Sequence, residues 1–190
     1  MSILKATNRL TLLTVLICLC MIVSAARAEN VFFPDRYTEN DIDLKIRGTG
    51  ILRYMVFIKA YAGGLYLPEE VSSEDALSEV PKRLEVEYFH AIKGEEFGPA
   101  TRKLIARNVD PLTFQRLESK IELHSRMYKD VNPGDRYSLT YIPGIGTELA
   151  LNGEPKGTIE GSEFAAALFS IWLGNKPMDK TFKKQILGLQ

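Results

Sequence analysis

Cysteine is nearly absent: the 190 residues hold two, Cys18 and Cys20, both near the start of the chain. The body of the chain therefore has no disulfide and no thiolate metal ligand, and its stability must come from packing. Histidine is as scarce. His90 and His124 stand far apart in different expected elements and do not read as a metal pair. There is no Gly-x-Ser-x-Gly elbow, no phosphate-binding loop ending in Gly-Lys-Ser/Thr and no His-Glu-x-x-His pattern. Gly144-Ile145-Gly146 lies between two strand patterns with no helix behind it, so it is a turn rather than a dinucleotide site. Nothing here calls for a cofactor or a metal. An excess of positive charge is also missing: 24 Lys+Arg balance 24 Asp+Glu, without a basic cluster, which argues against nucleic acid as a partner.

Long apolar runs are confined to the N-terminus. Lys5 and Arg9 precede an apolar stretch from Leu10 to Val23, and Ala26-Arg27-Ala28 supplies a small-x-small cleavage site. Residues 1–28 thus read as a secretory signal peptide cut after Ala28, with export, to a periplasm in a double-membrane bacterium, as its consequence. The stretch is shorter than the roughly twenty residues that span a bilayer. Ile17 and Leu19 are bulky where a lipidation site wants small residues before Cys18 or Cys20. Cleavage leaves residues 29–190 as one domain with 21 basic and 24 acidic residues. No later run of eighteen apolar residues occurs, so no stable membrane span is expected in the mature chain, and oligomeric state is not encoded in any recognisable pattern.

What is present is alternation. Ile42, Leu44 and Ile46 alternate with charged residues as in a half-buried strand, and Leu84, Val86 and Tyr88 oppose Glu85 and Glu87 in a second. Ser72-Ser73 predicts a short capped helix through about Glu79. A helix from Glu95 to Asn108 is followed by one capped by Asp110 with Pro111 at its first position, whose stripe of Phe114, Leu117, Ile121 and His124 marks a core face. Tyr137, Leu139 and Tyr141, the extended Thr147–Leu151 and Lys156–Ile159 form a meander, the last two joined by the Asn152-Gly153 hairpin signal. Ser162 is expected to cap a helix carrying Phe164, Leu168, Ile171 and Trp172, with Gly174 past its end. Asp179 starts a last helix that Gly188 stops. Strands, central helices, a meander and terminal helices give an α+β domain: one antiparallel sheet with helices over a face, and room for a ligand between them.

Beyond the N-terminus, the densest apolar and aromatic segment, Gly48 to Leu67, carries Arg53 near its head. In one extended strand, alternation sets Arg53 on the face of Met55, Phe57 and Tyr61. Two readings stand: a snorkelling side chain whose stem packs while its head reaches water, or a fixed cation at the floor of an apolar pocket, where its planar fork suits a carboxylate. Twenty residues exceed a usual strand, so the segment must break. If it stays straight, Arg53 and Tyr61 lie about 26 Å apart; if it folds back, they can meet one ligand.

The same segment, with Arg53, Phe57-Ile58-Lys59-Ala60-Tyr61 and Gly64-Leu65-Tyr66-Leu67, resembles the core motif of the chalcone isomerase-like proteins. Gly134-Asp135, Tyr141-Ile142-Pro143-Gly144, Leu151-Asn152-Gly153, Gly157-Thr158-Ile159 and Phe169 to Gly174 followed by Pro177 are similar to its exported bacterial branch. The resemblance implies an open-faced β-sandwich, a large curved antiparallel sheet covered by helices. It also implies one of two functions, since plant members close chalcones to flavanones and others bind fatty acids. Arg53 matches the family arginine, and Tyr61 falls where the plant enzymes carry a threonine. The enzymes' helical tyrosine falls near Ala100 or Thr101, their asparagine near Arg107 or Asn108, and their late threonine at Ile171. The expected site is therefore Arg53, Tyr61 and Asn108, contacting a small amphiphilic or phenolic molecule. Keeping the cation while losing orienting hydroxyls suits an exported, non-catalytic binder of an amphiphilic anion such as a fatty acid. The alternatives are an intramolecular lyase or isomerase of the chalcone isomerase type, and an interaction protein with no ligand.

Overall fold

The computed structural model describes residues 31–39, 41–54 and 58–189. The signal peptide expected over residues 1–28 and both cysteines lie outside them. The described residues from Phe33 onward form one compact unit. Its frame is a seven-stranded antiparallel meander in which each strand bonds its neighbours in sequence: β1 (Arg36–Glu39), β2 (Ile42–Tyr54), β3 (Ile58–Leu67), β4 (Lys82–Tyr88), β5 (Arg136–Ile142), β6 (Gly146–Leu151) and β7 (Glu154–Ile159). Among the described residues four α-helices, α1 (Gly94–Ala106), α2 (Pro111–Ser125), α3 (Ser162–Leu173) and α4 (Lys180–Ile186), lie over one face, giving the expected α+β class.

The long apolar segment folds back. β2 ends at Tyr54 and β3 starts at Ile58, with Leu52 opposite Tyr61 and Arg53 opposite Lys59 across a register shift. The intervening 55–57 lie outside the described residues. Gly48, Gly50 and Gly63 serve close packing of α4 over β2 and β3, while Gly64 makes room for Phe33. A side chain on Gly48 would collide with the Gln185 carbonyl, and a Cβ on Gly63 would stand 2.6 Å from the Phe182 ring.

Several helix ends form as their sequences direct. Asp110 accepts from the amides of Leu112 and Thr113, both at 3.0 Å, and Asp179 accepts from that of Phe182 at 2.6 Å. Asn152 and Gly153 both take positive φ, as a type I′ hairpin requires. Two expectations are corrected. The segment after Ser73 is a single 3-10 turn, Glu74–Leu77, closed when the Ser78 amide bonds the Asp75 carbonyl. Ser162 is the first residue of α3 and not its cap. The cap is Gly161, because the chain leaves β7 at a φ of 104° that a side chain disfavours.

Between sheet and helices lies the core, in which α3 sinks Phe164, Leu168 and Phe169 completely. The opposite sheet face is covered too. There the rings of Phe33 and Tyr37 lie over the guanidinium groups of Arg136 and Arg83, which join Glu85 and Glu87 in a largely buried ionic cluster.

Candidate ligand cavity

Alternation in the central strands turns Leu84, Val86 and Tyr88 of β4 and Tyr137 and Leu139 of β5 toward the helices. α1 opposes them with Phe97, Thr101 and Leu104 at helical spacing, and α3 closes one end with Ile171 and Trp172. Ala60, Ala100 and Thr101 are short where their neighbours are large, and a cavity of about 330 Å³ remains. That lies within the range of small-molecule sites, toward its lower end. Its walls are overwhelmingly apolar.

The polar atoms that line it are mostly phenols. The Tyr61 hydroxyl accepts from Trp172 Nε1 at 2.8 Å and donates to Met178 Sδ at 3.4 Å. Tyr137 is committed to the backbone, accepting from the Lys129 amide at 2.7 Å and donating to its carbonyl at 3.0 Å. The hydroxyls of Tyr128 and Thr101 stand 3.4 Å apart. For the Tyr88 hydroxyl no hydrogen-bond partner stands among the described residues. Edge-to-face contacts tie the cluster together, with Tyr88 5.7 Å from Tyr61, 5.6 Å from Phe97 and 6.1 Å from Tyr137 between ring centres. Burial raises the pKa of all four tyrosines, Tyr128 to about 12. They are neutral hydrogen-bonding groups throughout the physiological range.

Among the described residues the one charged wall residue is Glu96. Its carboxylate reaches back to accept from the amide of Lys93, the residue before α1, at 3.1 Å, and so caps the helix start. Lysine, arginine and histidine are absent from the walls among the described residues.

The three expected site residues part company here. Tyr61 lines the cavity, directly opposite Leu52, which lines it as well. Arg53, one residue further along β2, is exposed and outside the wall. The shared face expected for Arg53 and Tyr61 holds only for a straight strand; in the hairpin the partner strand sets the register, and the shift beside Arg53 separates them. Asn108 lies past the end of α1, away from this cavity. Its Nδ2 donates to the carbonyls of Leu104 and Lys176 at 3.1 and 3.0 Å, and its Oδ1 accepts from the Lys176 amide at 2.9 Å. It ties α1 to the loop between α3 and α4. Tyr88, Tyr128, Trp172 and Met178 also line the cavity, outside the expected site. The alternation that turns Tyr88 inward was legible, but no local pattern marks it as a polar contact. Tyr128 brings a phenol to Thr101, where the resemblance expected a tyrosine on the helix itself.

A comparison with curated proteins finds no match. Among solved structures, a fatty-acid binding protein of Arabidopsis thaliana superposes with a TM-score of 0.65 at 13% identity, over 82% of this chain and 90% of that one. At that identity the likeness concerns the fold. The sequence model described as chalcone isomerase-like matches residues 25–188, most of the chain, and the protein belongs to the chalcone isomerase-like family.

Proposed function

We propose that this protein is an exported, non-catalytic binder of a small amphiphilic molecule such as a fatty acid, whose apolar body fills the cavity between the sheet, α1 and α3. The cavity is the observation that carries the reading: about 330 Å³ of apolar-walled space is costly to keep unless something occupies it. Its chemistry favours binding over catalysis. The walls hold no serine, cysteine, lysine or histidine among the described residues, and the one carboxylate caps a helix. Neutral phenols orient a ligand but offer neither an activated nucleophile nor a base poised near neutral pH. The fatty-acid binding neighbour lends the ligand class. In this reading Tyr61 contacts the ligand. Arg53, exposed on β2, holds an ionised head only where that head stands outside the cavity.

Filling the cavity tests the reading. Val86 is 5% exposed in the wall, and Val86→Phe projects a ring into the open space. Lipid co-purifying with the protein, identified by mass spectrometry, should fall at least about tenfold, with stability kept within about 1 kcal/mol because the ring fills a void. Undiminished lipid in a folded variant would sink the reading. Export is tested separately: N-terminal sequencing of the secreted protein should start at Glu29, and an intact Met1 would refute cleavage after Ala28.

A further inference from the structure

We infer that the polar group taken into the cavity is uncharged, a carbonyl oxygen received by the hydroxyls of Tyr88 and Tyr61, so that the preferred ligands are neutral amphiphiles such as long-chain ketones, esters or aldehydes. This rests on the cavity being the ligand site and goes on to name the chemistry inside it.

The first ground is charge. The walls contain Glu96 and no cation among the described residues. A carboxylate drawn inside would lose its water without gaining a counter-ion, near a residue of its own sign. A carbonyl sheds far less hydration and needs only donors.

The second ground is which donors are available. Tyr137 is spent on the Lys129 backbone, and Tyr128 shares with Thr101. Tyr88 has no protein partner for its hydroxyl among the described residues, although the residue is only 8% exposed. Unlike the sealed hydroxyls of Tyr66 and Tyr141, that of Tyr88 is open to the cavity, where a ligand oxygen can take its proton in place of water. Tyr61 receives the Trp172 N–H on its oxygen and spends its own proton on a thioether, a weak acceptor that a carbonyl readily displaces. Tyr61 and Tyr88 are directly opposed across β3 and β4. Their rings are held edge to face at 5.7 Å, so both are pre-oriented on rigid strands. Two adjacent donors match the two lone pairs of one carbonyl oxygen.

The test is a ten-carbon series, decanoate, 2-decanone and decane, each displacing Nile red from the protein at about pH 8. The ketone should bind at least tenfold more tightly than the carboxylate. Tyr88→Phe should weaken the ketone about tenfold, the value of one hydrogen bond, and leave decane unchanged, which also shows that the variant folds. Decanoate binding as tightly as the ketone, with affinity lost in Arg53→Ala, would overturn the inference and leave the cavity's role as a binding site intact. Ketone affinity unchanged in Tyr88→Phe would equally overturn it. If none of the three displaces the dye, the proposed binding function itself fails.

Discussion

Glu85→Ala should destabilise the fold by about 3–5 kcal/mol, read as a shift in the urea unfolding midpoint, because it strands a buried guanidinium. Glu85 Oε1 accepts from Arg83 Nε and Nη2 at 3.0 and 2.7 Å, while Oε2 accepts from Arg136 Nη1 at 3.0 Å. The side chains of Arg83 and Glu85 are each only 7% exposed. Arg83 also donates to Thr140 Oγ1 at 2.6 Å and lies 3.7 Å from the centre of the Tyr37 ring. Without Glu85 its charge keeps a hydroxyl and an aromatic face but no carboxylate among the described residues. Arg136 suffers less, since Glu87 still meets it at 2.6 Å. Removing both partners should cost far less than removing one: Arg83→Met with Glu85→Leu should recover most of the loss, because apolar groups leave no uncompensated charge. A Glu85→Ala variant within about 1 kcal/mol of the parent would mean that the cluster is hydrated in solution.

That cluster also marks where the sequence stops being legible. The alternation of β4 correctly sets Glu85 and Glu87 opposite Leu84, Val86 and Tyr88, which makes them look solvated. Alternation assigns a face but does not say whether the face is covered. The cover is the N-terminal stretch, in which polar Arg36–Glu39 becomes a strand only by pairing with β2, and in which Phe33 and Tyr37 supply rings for two arginines. Signals that act locally were readable: Asp110 with Pro111, Asn152-Gly153, the Leu117, Ile121 and His124 stripe, and the glycine-rich apolar run that had to break. Arg53 shows the limit of that run. Its side of the strand depends on a hairpin and a register shift that long-range pairing sets, and the same fold-back brings Tyr61 opposite Leu52 in the cavity wall. Tyr88, Trp172 and Met178 belong to β4, α3 and the α3–α4 loop. Their convergence around Tyr61 is a product of tertiary packing, with no spacing in the sequence to announce it.

His124 makes the second large effect one of pH. The stripe of α2 buries it completely, edge-on to Tyr128 at 5.1 Å and tilted against Phe164 at 5.6 Å, and neither ring nitrogen has a hydrogen-bond partner among the described residues. Burial pushes its pKa down to about 4. The folded value therefore lies below the unfolded value of about 6.5, so the unfolded chain takes up the proton first as pH falls. Stability is fully present above about pH 6.5 and declines as pH drops toward 4, by about 3 kcal/mol over the window. The carboxylates of Asp110, Asp130 and Asp135, held below their usual values by hydrogen bonds, lose their contribution only at lower pH, so the two phases separate. His124→Phe keeps a ring against Tyr128 and Phe164 while removing both unmet nitrogens. It should flatten the profile between about pH 6.5 and 4.5 and raise stability at its acid end. Urea midpoints measured across that range decide the matter: a parent protein whose stability stays level from pH 6.5 to 4.5 would mean that His124 finds a partner or water when protonated. Because the Tyr128 ring touches His124 on one side and lines the cavity on another, acid should also loosen the ligand. Bound lipid should then leave the parent in the same pH window and be retained by His124→Phe.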